Sequence, residues 1–194
     1  MKLLVATGNA HKLEEFARIL GPIGIEVVSP AELGVSQEAE ETGETFAENA
    51  RIKAMELFRK SGVATVADDS GLCVDALGGR PGVYSARYLG ESASQPQRNA
   101  ALLSELESVK ANNRTARFVC AICCVLDEDK LVECEGTCEG TIGYEPRGEG
   151  GFGYDPIFMM GEQSFAELSP GQKDAHSHRG RALRLLAELL KDHI

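Results

Sequence analysis

Apolar and polar positions along this chain alternate between strand-like runs and helix-like stripes, in an order that predicts a mixed α/β fold. The apolar run at 2–6 predicts a strand leading into a helix from about Ala10 to Leu20, stopped by Gly21-Pro22. A second strand is expected at Glu26-Val27-Val28, ahead of an acidic segment from Glu38 to Glu44. Thr45-Phe46-Ala47-Glu48 has the spacing of a capping box and predicts a helix to about Lys60, before Gly62, with Phe46, Ala50, Ala54 and Leu57 as its apolar stripe. The β-branched run Val63-Ala64-Thr65-Val66 predicts a strand ending at Ala67-Asp68-Asp69-Ser70-Gly71. Glycines and Pro81 at 78–82 read as a loop, and a helix is expected near Pro96–Val109. Segments 115–126 and 130–135, separated by Asp127-Glu128-Asp129, read as an antiparallel pair. Gly148–Gly153 is a glycine-rich loop, and Ser177–Lys191 a closing helix with Leu183, Leu186 and Leu190 inward. No repeat, low-complexity tract or long linker interrupts the order, so a single domain over residues 1–194 is expected.

A chain of 194 residues can bury roughly 70% of its unfolded surface in one core. The formal charge of −10 argues against a general nucleic-acid binder, which needs a basic footprint to displace counterions. An acidic protein can still hold a polyanion where its few cations converge and a divalent metal helps, so each lysine position matters. The N-terminal apolar run is too short for a signal-peptide core, and no segment approaches membrane-spanning length. A cytoplasmic protein without a membrane partner is expected. Cys120-x2-Cys123 followed by Cys134-x3-Cys138 has a spacing that imitates a zinc site. However, 117–126 reads as a fully buried strand, which points Cys120 and Cys123 to opposite faces. The expectation is buried thiols in a reducing compartment and no zinc.

Two adjacent carboxylates at the end of a strand stand where α/β sheets usually bind ligands, although Asp, Ser and Gly are also turn formers. Ala6-Thr7-Gly8-Asn9-Ala10-His11-Lys12 joins the first strand to the first helix, where backbone amides can meet an anion or simply form an N-cap. It is neither a Walker A loop nor a dinucleotide fingerprint. Lys53 falls within the apolar stripe of its helix and must snorkel or meet an anion. With Glu40, Glu41, Asp68 and Asp69 it could ring one metal-phosphate centre. Gly150-Gly151-Phe152-Gly153-Tyr154-Asp155 combines a pliable backbone with a stacking ring and an acceptor for a base N–H. Lys173 and Ser177-His178-Arg179-Gly180 bring cations to the start of the closing helix, where they oppose its dipole and so imply an anion.

Together, Thr7-Gly8-Asn9-x-x-Lys12, Glu40-Glu41-Thr42-Gly43, Phe46-x-Glu48-Asn49-Ala50, Asp68-Asp69-Ser70-Gly71, Gly78-Gly79-x-Pro81-Gly82-x-Tyr84-Ser85-Ala86-Arg87, Phe152-Gly153-Tyr154-Asp155 and Ser177-His178-Arg179-Gly180 resemble the inosine triphosphate pyrophosphatase family, the dITP/XTP pyrophosphatases. The match runs in order from residue 3 to about 190. The resemblance implies a homodimer whose subunits have a long central twisted mixed sheet flanked by helices, and two lobes with the nucleotide cleft between them. It implies Mg²⁺-dependent hydrolysis of ITP, dITP and XTP to monophosphate and pyrophosphate. Carried over onto this chain, Thr7, Gly8, Asn9, Ala10, His11 and Lys12 hold the triphosphate, with Lys53 and Lys173 adding charge. Glu40 or Glu41, with Asp69, binds Mg²⁺, and which glutamate does so stays open. Asp69 also accepts the proton of the attacking water, Lys12 and Lys53 act catalytically by carrying away the pyrophosphate, and Ser70 contacts substrate. Phe152, Gly153, Tyr154 and Asp155, with His178 and Arg179, grip the base. The rival readings are a non-catalytic nucleotide sensor and a sibling pyrophosphatase acting on modified pyrimidines.

Overall fold

The computed structural model describes residues 1–36 and 39–191, so Glu38 of the expected acidic segment lies outside the described residues. Its strands are β1 (Lys2–Val5), β2 (Glu26–Val28), β3 (Thr65–Val74), β4 (Thr115–Asp127), β5 (Lys130–Ile142), β6 (Phe158–Met160) and β7 (Gln163–Ser164). The helices are α1 (Ala10–Leu20), α2 (Phe46–Ser61), α3 (Gln95–Glu105), α4 (Pro170–His176) and α5 (His178–Leu189). The strands form a seven-stranded sheet in the order β2-β1-β3-β4-β5-β6-β7. It is mixed, because β1 runs parallel to β2 and β3 whereas β6 is antiparallel to β5 and β7.

Contacts divide the chain into two compact units: Met1–Asp69, Cys120–Gly136 and His178–Ile194 form one, and Ser70–Val119 and Thr137–Ser177 the other. In the first unit β1 is apolar on both faces. Leu3 and Val5 pack with Phe16, Leu20, Leu183 and Leu186 of α1 and α5. Leu4 and Ala6 pack with Ala50, Ala54 and Leu57 of α2. A strand covered on both sides reads as a continuous apolar run, which is why no polar alternation marks it. Asn9 caps α1, its side chain accepting from the amides of His11 and Lys12 at 3.0 and 3.4 Å. The expected capping box opens α2, Thr45 and Glu48 satisfying each other's backbone amides. At Gly136 of β5 a Cβ would stand 2.3 Å from the carbonyl oxygen of His178, so only glycine lets the first turn of α5 lie this close. The second unit has its own core, in which Phe118 lies 4.6 Å from Phe158 and 5.7 Å from Phe165, centroid to centroid.

The structure corrects two expectations about the elements that carry the candidate chemistry. Asp68 and Asp69 do not end a strand in a turn: β3 continues through Ser70 and Gly71 to Val74. The expected closing helix is α5, but Lys173 does not stand at its start: Ser177 is extended between α4 and α5 and leaves Lys173 on the former and Arg179 on the latter. Cys120 and Cys123 fall in opposite apolar clusters, as strand alternation requires. Burial pushes the Cys123 thiol up to about 12. Cys123→Ser is therefore expected to stay folded and active, and elemental analysis to find no stoichiometric zinc. A tightly held zinc lost in that variant would overturn the reading. Among the described residues no helix is long and apolar enough to cross a membrane.

Candidate active site

Neighbouring residues of a strand face opposite ways, so β3 delivers Asp68 and Asp69 to opposite faces of the sheet. Asp68 is 1% exposed, and its Oδ2 accepts from Lys12 Nζ at 2.9 Å and from Arg179 Nε and Nη2 at 3.1 and 3.0 Å. The third arm of the guanidinium, Nη1, donates to Glu15 Oε2 at 2.6 Å. Burial pushes the Asp68 carboxyl up, but the charges of Lys12 and Arg179 outweigh it and hold the group well below the usual carboxylate range. Arg179, 2% exposed, is likewise held charged against its burial by Asp68 and Glu15. Lys12, Arg179, Asp68 and Glu15 thus make a buried network of two cations and two anions. The carboxylates that meet Arg179 in the structure are the protein's own.

On the other face, Lys53 Nζ donates to Asp69 Oδ1 at 2.9 Å and to Glu41 Oε1 at 2.8 Å. Asn49, one turn earlier on α2, donates from Nδ2 to Asp69 Oδ2 at 3.4 Å and accepts the Gly43 amide on Oδ1 at 2.8 Å. A Cβ on Gly43 would come within 2.7 Å of that Oδ1 and of Glu48 Cβ, so glycine lets the loop carrying Glu41 dock on α2. Burial lifts the Asp69 carboxyl above its usual value, and the Lys53 charge offsets this only in part. Lys53 itself is lowered by burial, but Asp69, Asp68 and Glu41 together more than restore it. Of the two candidate glutamates, Glu41 reaches this cluster while Glu40 is exposed.

The loop at the end of β1 is partly self-satisfied. Thr7 Oγ1 accepts the Asn9 amide at 3.1 Å, and Gly8, Ala10 and His11 are exposed. Lys12 connects this loop to Asp68. In the second unit Asp155 Oδ2 accepts the Phe152 amide at 2.8 Å and Lys173 Nζ at 2.7 Å, and that ammonium lies 4.3 Å from the Phe152 ring centroid. The Gly153 carbonyl accepts from Asn99 at 3.2 Å, and Tyr154 is buried with its hydroxyl donating to the Ser85 carbonyl at 2.9 Å. Ser70 follows Asp69 on β3, half-buried, and His178 opens α5, buried.

The structure therefore gathers Lys12, Glu41, Lys53, Asp69 and Arg179 in the first unit and Phe152, Asp155 and Lys173 in the second. Two further residues emerge. Nothing local separates Glu15 from its exposed neighbour Glu14, because its partner is far away in sequence. Asn49 stood inside a recognised motif, and its place one turn before Lys53 was the available signal. Among the described residues no three acidic, histidine or cysteine side chains converge as a ready metal site. Chemically, the first unit offers a carboxylate with raised basicity beside a fixed ammonium group, the equipment of water activation next to a polyanion.

The sequence profile of the Ham1 family matches residues 3–189. The dITP/XTP pyrophosphatase of Desulforamulus reducens is 50% identical over 98% of this chain and 96% of its own length. That of Exiguobacterium sibiricum is 48% identical over 98% and 97%. Among solved structures, a HAM1 protein from Coxiella burnetii superposes with a TM-score of 0.89 at 40% identity, covering 99% of both chains.

Proposed function

The chain belongs to the Ham1 family, and we propose that it hydrolyses the non-standard purine triphosphates ITP, dITP and XTP to monophosphate and pyrophosphate with Mg²⁺. The observation that carries this reading is Asp69, a buried carboxylate of raised basicity held beside Lys53 and Glu41, in a chain close to proteins named dITP/XTP pyrophosphatase.

The donor set fits magnesium. Glu41 and Asp69 are hard oxygen donors already gathered on one cation, and Mg²⁺ characteristically takes one or two carboxylates and completes its shell with water and substrate phosphates. When bound there, it neutralises phosphate charge and draws electron density from the scissile phosphorus. Asp69, its basicity raised by burial, takes the proton of the attacking water. Lys12 and Lys53 receive the charge that develops on the departing pyrophosphate. Thr7, Gly8, Asn9, Ala10 and His11 present the end of β1 and the first turn of α1 to the phosphates. Arg179 acts through Asp68, keeping it ionised as the seat of Lys12. Ser70 contacts substrate, and Phe152 stacks on the base from the turn closed by Asp155 and Lys173, with Gly153 and Tyr154 shaping that turn. A cytoplasmic homodimer belongs to the same reading.

Base choice follows from donors. A purine 6-keto oxygen accepts from His178 and neighbouring backbone, whereas the adenine amino group would set donor against donor, a mismatch that hydrogen-bonding sites reject strongly. Guanine must be excluded at its 2-amino group, on the side of Phe152–Asp155. ITP, dITP and XTP are expected to show kcat/KM about 10²-fold or more above ATP and GTP. Hydrolysis in ¹⁸O-labelled water should place the label in the monophosphate. Comparable efficiency on ATP, or label in the pyrophosphate, would defeat the assignment, and a preference for pyrimidines would give it to the sibling activity.

A further inference from the structure

We propose that Lys53 is a resident counter-cation that holds Glu41 and Asp69 together in the absence of a divalent ion and yields its place between them when one arrives. The proposal rests on reading Glu41 and Asp69 as the metal ligands. Lys53 projects from the apolar stripe of α2 and is only 7% exposed, so it does not simply snorkel to water. A buried ammonium is costly without partners. It finds two, at 2.8 and 2.9 Å, on carboxylates supplied by different segments, the loop before α2 and β3. Those carboxylates would repel one another with no cation between them, and one would tend to take up a proton.

Asn49 makes the arrangement directional. It ties the amide of Gly43, two residues beyond Glu41, to Asp69 Oδ2. One face of α2 thus fixes both acids: Asn49 sets the loop and Lys53 supplies the charge. A single ammonium cancels one of the two negative charges. The remaining charge favours exchange for a divalent ion, which cancels both, and the flexible four-carbon stem of lysine lets the displaced ammonium turn toward an incoming phosphate. The acid pair is then kept assembled whether or not metal is present, and metal affinity is set by competition with the protein's own lysine.

Thermal melting and Mn²⁺ binding followed by electron paramagnetic resonance test this without turnover. In chelator, Lys53→Met is expected to melt about 10 °C below wild type, as removal of one partner from a buried ionic cluster implies for a chain of this size. Saturating Mg²⁺ should recover most of that loss, while the wild type moves by less than about a third as much. Mn²⁺ should bind Lys53→Met about tenfold more tightly than wild type. Lys53→Arg keeps the charge and should keep the small wild-type response. If Lys53→Met folds only in Mg²⁺, its unfolding on chelation, with wild type intact, is the same result in stronger form. Equal metal-induced shifts in wild type and Lys53→Met, or weaker Mn²⁺ binding in the variant, would overturn the proposal. Full wild-type turnover in chelator would instead overturn Glu41 and Asp69 as metal ligands, so the two failures are told apart.

Discussion

Asp69→Asn is expected to lower kcat by about 10³-fold while shifting the melting temperature by only a few degrees. Loss of a general base alone costs about 10²–10⁴-fold, and the same change removes one of two charges proposed to hold the metal. The fold should tolerate it. Burial already works against the charged form of Asp69, asparagine preserves the shape and an acceptor for Lys53, and Lys53 retains Glu41 at 2.8 Å. Stability and catalysis therefore separate at this position. Steady-state pyrophosphate release at saturating Mg²⁺, beside circular dichroism melting, measures both. Retention of more than about a tenth of the wild-type rate would reduce Asp69 to a structural residue, and a collapse of the fold would leave the lost rate without mechanistic meaning.

Where local chemistry decided the structure, the sequence was legible. The Thr45–Glu48 capping box and Gly62, at φ +67°, bound α2 within a residue of expectation, because a cap and a left-handed glycine are satisfied by their immediate neighbours. Asp68 and Asp69 were legible as chemistry but not as backbone. Asp-Asp-Ser-Gly has turn propensity, yet the segment lies in β3 between β1 and β4, where sheet pairing overrides propensity. The charges that make two buried acids tolerable come from Lys12, Lys53 and Arg179, the last 111 residues from Asp68. For the same reason Glu15 could not be foreseen. The division between α4 and α5 did carry a signal: Ser169-Pro170-Gly171-Gln172 is a capping box with proline in the first turn, and it starts a separate helix ahead of Ser177.

Arg179→Met is expected to destabilise the protein by about 3–5 kcal/mol at neutral pH, the usual consequence of deleting one partner from a buried ion network. At this chain length that corresponds to a fall in melting temperature on the order of 10 °C. Methionine fills much of the space, so the loss would report charge more than cavity. Its pH dependence separates the two. In the wild type Asp68 is held below its unfolded value near 3.8, so its stabilising contribution is complete above that value and disappears as pH falls through the folded one. In the variant, Glu15 and Asp68 keep their burial but lose the guanidinium, and a buried carboxyl without its cation takes up a proton more readily. The penalty is then greatest where the variant's buried carboxyls are ionised and shrinks as they take up protons above the unfolded carboxyl range, so the gap between wild type and variant should narrow as pH is lowered from about 7.5 to about 4.5. Melts in chelator across that range measure it, keeping any metal-dependent term out of the comparison. A gap that stays constant with pH would show that Arg179 supports the fold by packing alone, and would remove the electrostatic account of how Asp68 seats Lys12.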